Sequence, residues 1–210
     1  MIPFVVDHEG QRFGKYPLGW PAMLAIGIKL GMRDWVNPLL AGLAVWLTFV
    51  LGKKLMGKMV GFLAALLTAT SPFFLVNVGS LLSHAWGLVL SLGFVLAWWG
   101  ATEGRETEEN GQNSEDQGLR TKDKRLKWLA AVTAGGALGM FAISRPFTAI
   151  GVAIPFGLHG LYLLWKADRD VKKRVLAVGF IALAVSSLHF LWQAVATGDP
   201  LLNPYTLWWE

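Results

Sequence analysis

The side chains able to do chemistry in this chain sit in short polar stretches between long apolar runs. Asp7-His8-Glu9 sets two carboxylates and an imidazole in a row, but adjacent positions do not converge on one metal ion, and an exposed loop is the plainer reading. His84, in GSLLSHAW, heads an apolar run, where it could act as an acid, a base or a hydrogen-bond donor. A histidine bonded to a neighbouring carbonyl is the simpler alternative. Arg145 separates two apolar runs beside Pro146. A guanidinium at the lipid–water boundary can hold a phosphate bidentately or snorkel to headgroups, and the two readings weigh equally. His189 and Gln193, four apart, share a helix face, which favours hydrogen bonding between helices.

The elements that carry these residues follow from composition. The 210 residues are 54% hydrophobic and 16% charged, with a mean hydropathy of +0.45, whereas a soluble domain carries about a quarter charged residues. Apolar blocks at 36–52, 57–76, 82–101, 127–144, 146–165 and 174–196 each approach the roughly 17 to 25 residues that cross a bilayer as a helix. The expected fold class is all-α, a polytopic transmembrane bundle of about six spans. Trp20, Trp35, Trp98, Trp99, Trp128 and Trp165 fall near block ends, as interfacial aromatic rings do. The net charge of +5 clusters beside the apolar blocks, a pattern of topology signals and lipid contacts that argues against nucleic acid as a partner. With no cysteine, the sequence offers no disulfide framework and no thiolate metal site.

The stretch GKYPLGWPAMLA, residues 14–25, opens an apolar block at 17–31 that holds Lys29. Fifteen helical residues reach about 22 Å, short of a hydrocarbon core of about 30 Å. It therefore reads as a helix lying on the membrane surface after a bent start at Pro17, Gly19 and Pro21. The positive-inside rule then puts Lys53, Lys54 and Lys58, the basic residues of 102–127, and Lys166 to Arg174 in the cytoplasm. The division that follows is an outer-face loop and interfacial helix at 1–35, three spans in 36–101, a disordered cytoplasmic linker at 102–126, three spans in 127–196, and an outer-face tail at 197–210. Ser144-Arg145-Pro146 reads as the tight turn of a helical hairpin, with Pro146 in the first turn of the second helix. Glycine pairs 27/31, 57/61 and 135/139 have GxxxG spacing, for which helix packing is explanation enough. Both termini fall outside, and Asp7, Glu9, Lys15, Tyr16, His84 and Arg145 gather at the outer face.

GKYPLGWPAMLAIGIKLG, followed by NPLLAGLAVWLTFVLGKKLMGKMVGFLAALLTATSPFFL, resembles the polyprenyl-phosphate-sugar-dependent membrane glycosyltransferases of the GT-C fold. The likeness is to the bacterial branch related to protein mannosyltransferases and the aminoarabinose transferase of lipid A, and it covers roughly residues 10 to 100. It implies transfer of a sugar from a polyprenyl-phosphate carrier to a hydroxyl acceptor on the outer face of a bacterial plasma membrane, with membrane lipid around the chain and no cofactor beyond the lipid-linked donor. By the resemblance Lys15, with Tyr16 in the Lys/Tyr-Pro segment, would hold the donor phosphate, and Asp7 or Glu9 would act as base on the acceptor. His84 falls where relatives carry an acidic residue. Arg145 matches no motif, so its phosphate role rests on chemistry alone. The family's first span and its acidic residue are missing, so the chain reads as N-terminally incomplete, with the base upstream of Met1. Asp168-Arg169-Asp170 mimics the metal-binding aspartates of soluble sugar-nucleotide enzymes, but it sits in a short mixed-charge loop and is rejected. The alternative is a non-enzymatic transporter or a membrane protein that binds lipid-linked substrates.

Overall fold

A computed structural model describes residues 5–103 and 114–209, with only the backbone described over 114–121. The chain opens with a two-stranded antiparallel hairpin, β1 (Val5–His8) and β2 (Gln11–Gly14), pairing Val6 with Phe13 and Asp7 with Arg12. Glu9 and Gly10 both take positive φ, 46° and 79°, the conformation a two-residue hairpin turn of matching twist requires. The segment expected as an open loop is thus ordered by a local turn.

Helix α1 (Gly19–Lys29) has 11 residues, about 16 Å at about 1.5 Å each. This agrees with a short helix that does not cross. It is pinned at both ends. The Gly19 N–H donates to the Ile143 carbonyl at 2.9 Å, and a Cβ there would collide with Ser144 Oγ. Gly31, at φ 68°, turns the chain out of the helix while the Met32 and Gly31 N–H groups donate to the carbonyls of Gly27 and Ile28.

The long helices follow: α2 (Val36–Met56), α3 (Lys58–Thr70), α4 (Pro72–Val78), α5 (His84–Thr102), α6 (Ser114–Ala142), α7 (Pro146–Lys166) and α8 (Arg169–Ser186), then α9 (Leu188–Thr197) and α10 (Pro204–Leu207). Among the described residues, four segments are long and apolar enough to cross a membrane: Arg33–Met56, His84–Thr102, Pro146–Lys166 and Arg169–Thr197. A fifth exists if α3 and α4 count as one broken span, bent by 60°. The described residues thus show four or five such spans, and the expected count of about six is not confirmed.

Two blocks depart from expectation for clear reasons. Pro72 lacks an N–H and starts a new helix, with Ser71 Oγ accepting from the Phe74 N–H at 3.4 Å, so the block at 57–76 is not one straight helix. The block at 127–144 is the second half of α6, which runs back to Ser114 through charged sequence. The end of the segment read as a disordered linker is thus helical, and 104–113 lie outside the described residues. A charged helix needs no apolar face where it is solvated, and pairs such as Asp123–Lys127 at 3.0 Å, one turn apart, support it. The tight turn at Ile143-Ser144-Arg145 is as expected, with Pro146 in the first turn of α7.

The core forms around α5. Phe94, Trp98 and Ala101 pack with Ala131 and Ala134 of α6 and with Val171, Val175 and Val178 of α8. Toward the other end, Ala85 and Val89 pack with Trp20, Val36, Leu40 and Ala44. Glycines allow the closest approaches. A Cβ on Gly61 would stand 2.6 Å from the Phe49 carbonyl, and one on Gly135 would stand 2.7 Å from Ile181 Cβ. Gly135 and Gly139 are thus packing residues between α6 and α8. Gly136, one position on, faces open space. Gly135→Ala is expected to destabilise by about 1–3 kcal/mol, by overpacking, while Gly136→Ala stays within about 0.5 kcal/mol of the parent in thermal unfolding of the detergent-solubilised protein.

Candidate functional site

The helices alternate in direction, so α2, α5 and α7 begin at the end of the bundle that carries the β-hairpin, α1 and the turn at Arg145. First-turn N–H groups of these helices face this end, beside the last carbonyls of α4 and α6. The loop before α5 is held from two sides. Trp20 Nε1 of α1 donates to the Leu81 carbonyl at 2.9 Å. Asn37, in the first turn of α2, donates through Nδ2 to the carbonyls of Ser80 and Leu82. Its Oδ1 is buried with no hydrogen-bond partner among the described residues. Ser80 Oγ donates to the Asn77 carbonyl at 2.8 Å and tightens the same loop.

His84 emerges from this loop and meets Arg145 across 61 residues of sequence, with Nη1 and Nδ1 2.6 Å apart. A guanidinium has only donors, so Nδ1 accepts and the ring proton sits on Nε2. Gly87 makes the contact possible, because a Cβ there would lie 2.9 Å from Arg145 Cδ. Two residues on, Trp86 Nε1 donates to Ser144 Oγ at 3.2 Å, and Ser144 Oγ donates to the Met140 carbonyl at 2.6 Å. The α6–α7 turn is therefore docked on the first turn of α5 by two side-chain bonds. They hold the guanidinium, half-buried, just before the first turn of α7. Such an arrangement suits an anion: a fixed cation with N–H groups beyond the one given to His84, placed just before the first turn of α7.

The other expected site residues lie apart from that pair. Asp7 accepts from Arg12 Nε at 2.7 Å on the exposed side of the hairpin, a hydrogen bond that raises the Arg12 pKa above its ordinary range. Glu9 occupies the hairpin tip and is exposed. Lys15 is buried, 5% exposed, among the rings of Trp208 at 4.4 Å, Tyr16 at 5.3 Å, Tyr205 at 5.4 Å and Trp209 at 5.6 Å. Lys15 thus joins the start of the chain to the segment around α10 by cation–π contact. His189 stacks near Trp192, centroids 5.6 Å apart, and its buried Nδ1 has no hydrogen-bond partner among the described residues, so the expected bonding between helices does not involve that atom. Among the described residues no group of three or more His, Cys, Asp or Glu gathers to hold a metal ion.

Asn37 and Trp86 were not singled out in the sequence, and Trp20 and Ser144 were read only as an interfacial ring and part of a turn. Asn37 carried a signal, as a lone amide opening an apolar run, because a polar group at that depth needs a partner. The tryptophans looked like ordinary interfacial rings.

Replacing His84 by Leu removes the acceptor of the Arg145 bond. A loss of about 1–3 kcal/mol in unfolding free energy is expected, with partial recovery in His84→Gln, which keeps an acceptor. Equal stability of His84→Leu and the parent would show that the pair does not hold the turn.

Compared with protein-family models, curated proteins and solved structures, the chain matches none.

Proposed function

We propose that this chain is a membrane glycosyltransferase, or part of one, that transfers a sugar from a polyprenyl-phosphate carrier to a hydroxyl acceptor at the membrane face carrying the β-hairpin. The observation that carries the reading is the Arg145 guanidinium, fixed by His84 at the N-terminal ends of α5 and α7. In such a transfer the acceptor oxygen bonds to the anomeric carbon while the bond to the carrier phosphate breaks. The phosphate leaves with the electron pair, and a base takes the hydroxyl proton. Arg145 stabilises the charge growing on the leaving phosphate. His84, whose Nδ1 accepts from Arg145, positions that guanidinium and is not the base. Of the two hairpin carboxylates, Asp7 is bonded to Arg12 and Glu9 stands exposed at the tip, so Glu9 is the freer of the two to take the acceptor proton. Lys15 and Tyr16 form a wall of the site, with Lys15 reaching the donor phosphate only where the rings of 205–209 make room for it.

The membrane is the bacterial plasma membrane, with the hairpin end outside and the end rich in Lys53, Lys54, Lys166 and Lys172 inside. A non-enzymatic transporter of lipid-linked substrates is the second reading. The 60° break between α3 and α4 and Pro155 inside α7 favour it, because interrupted helices mark transport sites.

Two measurements test this. Reconstituted with radiolabelled polyprenyl-phosphate sugars, the chain should transfer label to a lipid or peptide hydroxyl, and Arg145→Ala should lower the rate by about 100-fold or more. Unchanged transfer in Arg145→Ala would overturn its role, and counterflow of the donor without transfer would favour the transporter. Because the chain has no cysteine, single-cysteine variants report topology cleanly. Cysteine at Glu9 should label in intact cells, and cysteine at Lys172 only after permeabilisation.

A further inference from the structure

A second polar site lies at the opposite end of the bundle, where α5 ends and α6 and α8 run side by side. A cleft of about 290 Å³ opens between charged residues of α6 and the start of α8. Lys124 lines it from α6, and Asp168, Arg169, Asp170 and Arg174 line it from the α8 side. Asp123 and Lys127 also line it but are bonded to each other at 3.0 Å. Arg174 is the fixed point. It is 4% exposed, and its Nε donates at 2.7 Å to the Ala101 carbonyl in the last turn of α5.

We propose that this cleft binds the headgroup of an amine-bearing phospholipid, its phosphate held by Lys124 and Arg169 above the buried Arg174 and its primary ammonium by Asp168 and Asp170. Three observations lead there. The lining carries both signs of charge, so a simple anion would meet the two aspartates as repulsion, whereas a phosphate joined to an ammonium two carbons away meets complementary groups at both ends. The aspartates and Arg169 are exposed, so the headgroup has access from outside the bundle. An apolar track leaves the same place: Leu176, Phe180 and Leu183 follow Arg169 at spacings of seven, four and three, on one face of α8, and are 60%, 74% and 73% exposed. That face is where acyl chains of a lipid seated in the cleft run. Guanidinium groups match phosphate oxygens bidentately, and carboxylates accept N–H bonds from a primary ammonium that a trimethylated one does not offer. The site is independent of the activity proposed for the hairpin end.

The test uses the full chain, stripped of lipid in detergent and offered phosphatidylethanolamine, phosphatidylglycerol or phosphatidylcholine of identical acyl chains, with bound lipid counted by native mass spectrometry. Phosphatidylethanolamine should be retained about tenfold more than phosphatidylcholine, a difference of about 1.4 kcal/mol. The double variant Asp168→Asn, Asp170→Asn should lose that preference, while Lys124→Ala with Arg169→Ala should lower retention of both phosphatidylethanolamine and phosphatidylglycerol. These are exposed positions, and melting of each variant checks that the fold survives. Soluble phosphoethanolamine and inorganic phosphate serve as competitors. Failure of both to displace the lipid at millimolar concentration supports a site that needs the acyl chains, and displacement by either makes the ligand a soluble phosphate and overturns the lipid assignment. Equal retention of phosphatidylethanolamine and phosphatidylcholine, or a preference unchanged in the aspartate variant, also overturns it.

Discussion

The burial of α5 is the constraint on which the other helices depend. Among the described residues it is the one spanning helix in contact with all three apolar clusters, through Ala85 and Val89 near its start, Leu90 in between and Phe94, Trp98 and Ala101 toward its end. In lipid, apolar surface gives little drive for helices to associate, so close packing and side-chain hydrogen bonds must hold them. Along α5 both are present. Trp98 Nε1 donates to His159 Nδ1 of α7 at 3.2 Å, and Phe94 and Trp98 meet Phe156 edge-on. By contrast α7 shows most of its other face, with Phe147, Leu158 and Trp165 exposed, as a helix does when lipid is its other neighbour.

The two ends of α5 carry an arginine each, held in opposite ways. At the start, Arg145 bonds a side chain, His84, and its cationic group lies beside the first turns of α5 and α7. At the finish, buried Arg174 bonds a backbone carbonyl, Ala101, and so neutralises a helix C-terminus. The first arrangement concentrates positive charge and suits an anion. The second offsets part of the charge, and with Asp168 and Asp170 nearby it suits a ligand of mixed sign.

Much of the helical framework was legible in the sequence. The apolar blocks at 36–52, 82–101 and 146–165 became α2, α5 and α7 with small shifts, because a run long enough to cross a bilayer can satisfy its backbone only as a helix. The short α1 and the turn at Arg145-Pro146 followed from length and from proline chemistry in the same way. The β-hairpin was less legible. Its strands have four residues each, and the Glu9-Gly10 turn that orders them is a weaker signal than Asn-Gly or Asp-Gly. The second span failed at Ser71-Pro72, where hydropathy continues but a backbone donor does not.

The sequence by itself determined where most of the long apolar helices run, where prolines start them and that the basic loops share one end of the bundle, since all three depend on properties of neighbouring residues. Only the tertiary structure decided the partners. His84 and Arg145 stand 61 residues apart, as do Trp98 and His159, and each pair meets because small residues such as Gly87 let particular helix faces approach. Lys15 shows the same division: its charge and its proline neighbour are readable, but its burial under Tyr205, Trp208 and Trp209 depends on where α9 carries the end of the chain. A side chain's identity fixes what it can bond, and the packing of helices distant in sequence fixes what it does bond.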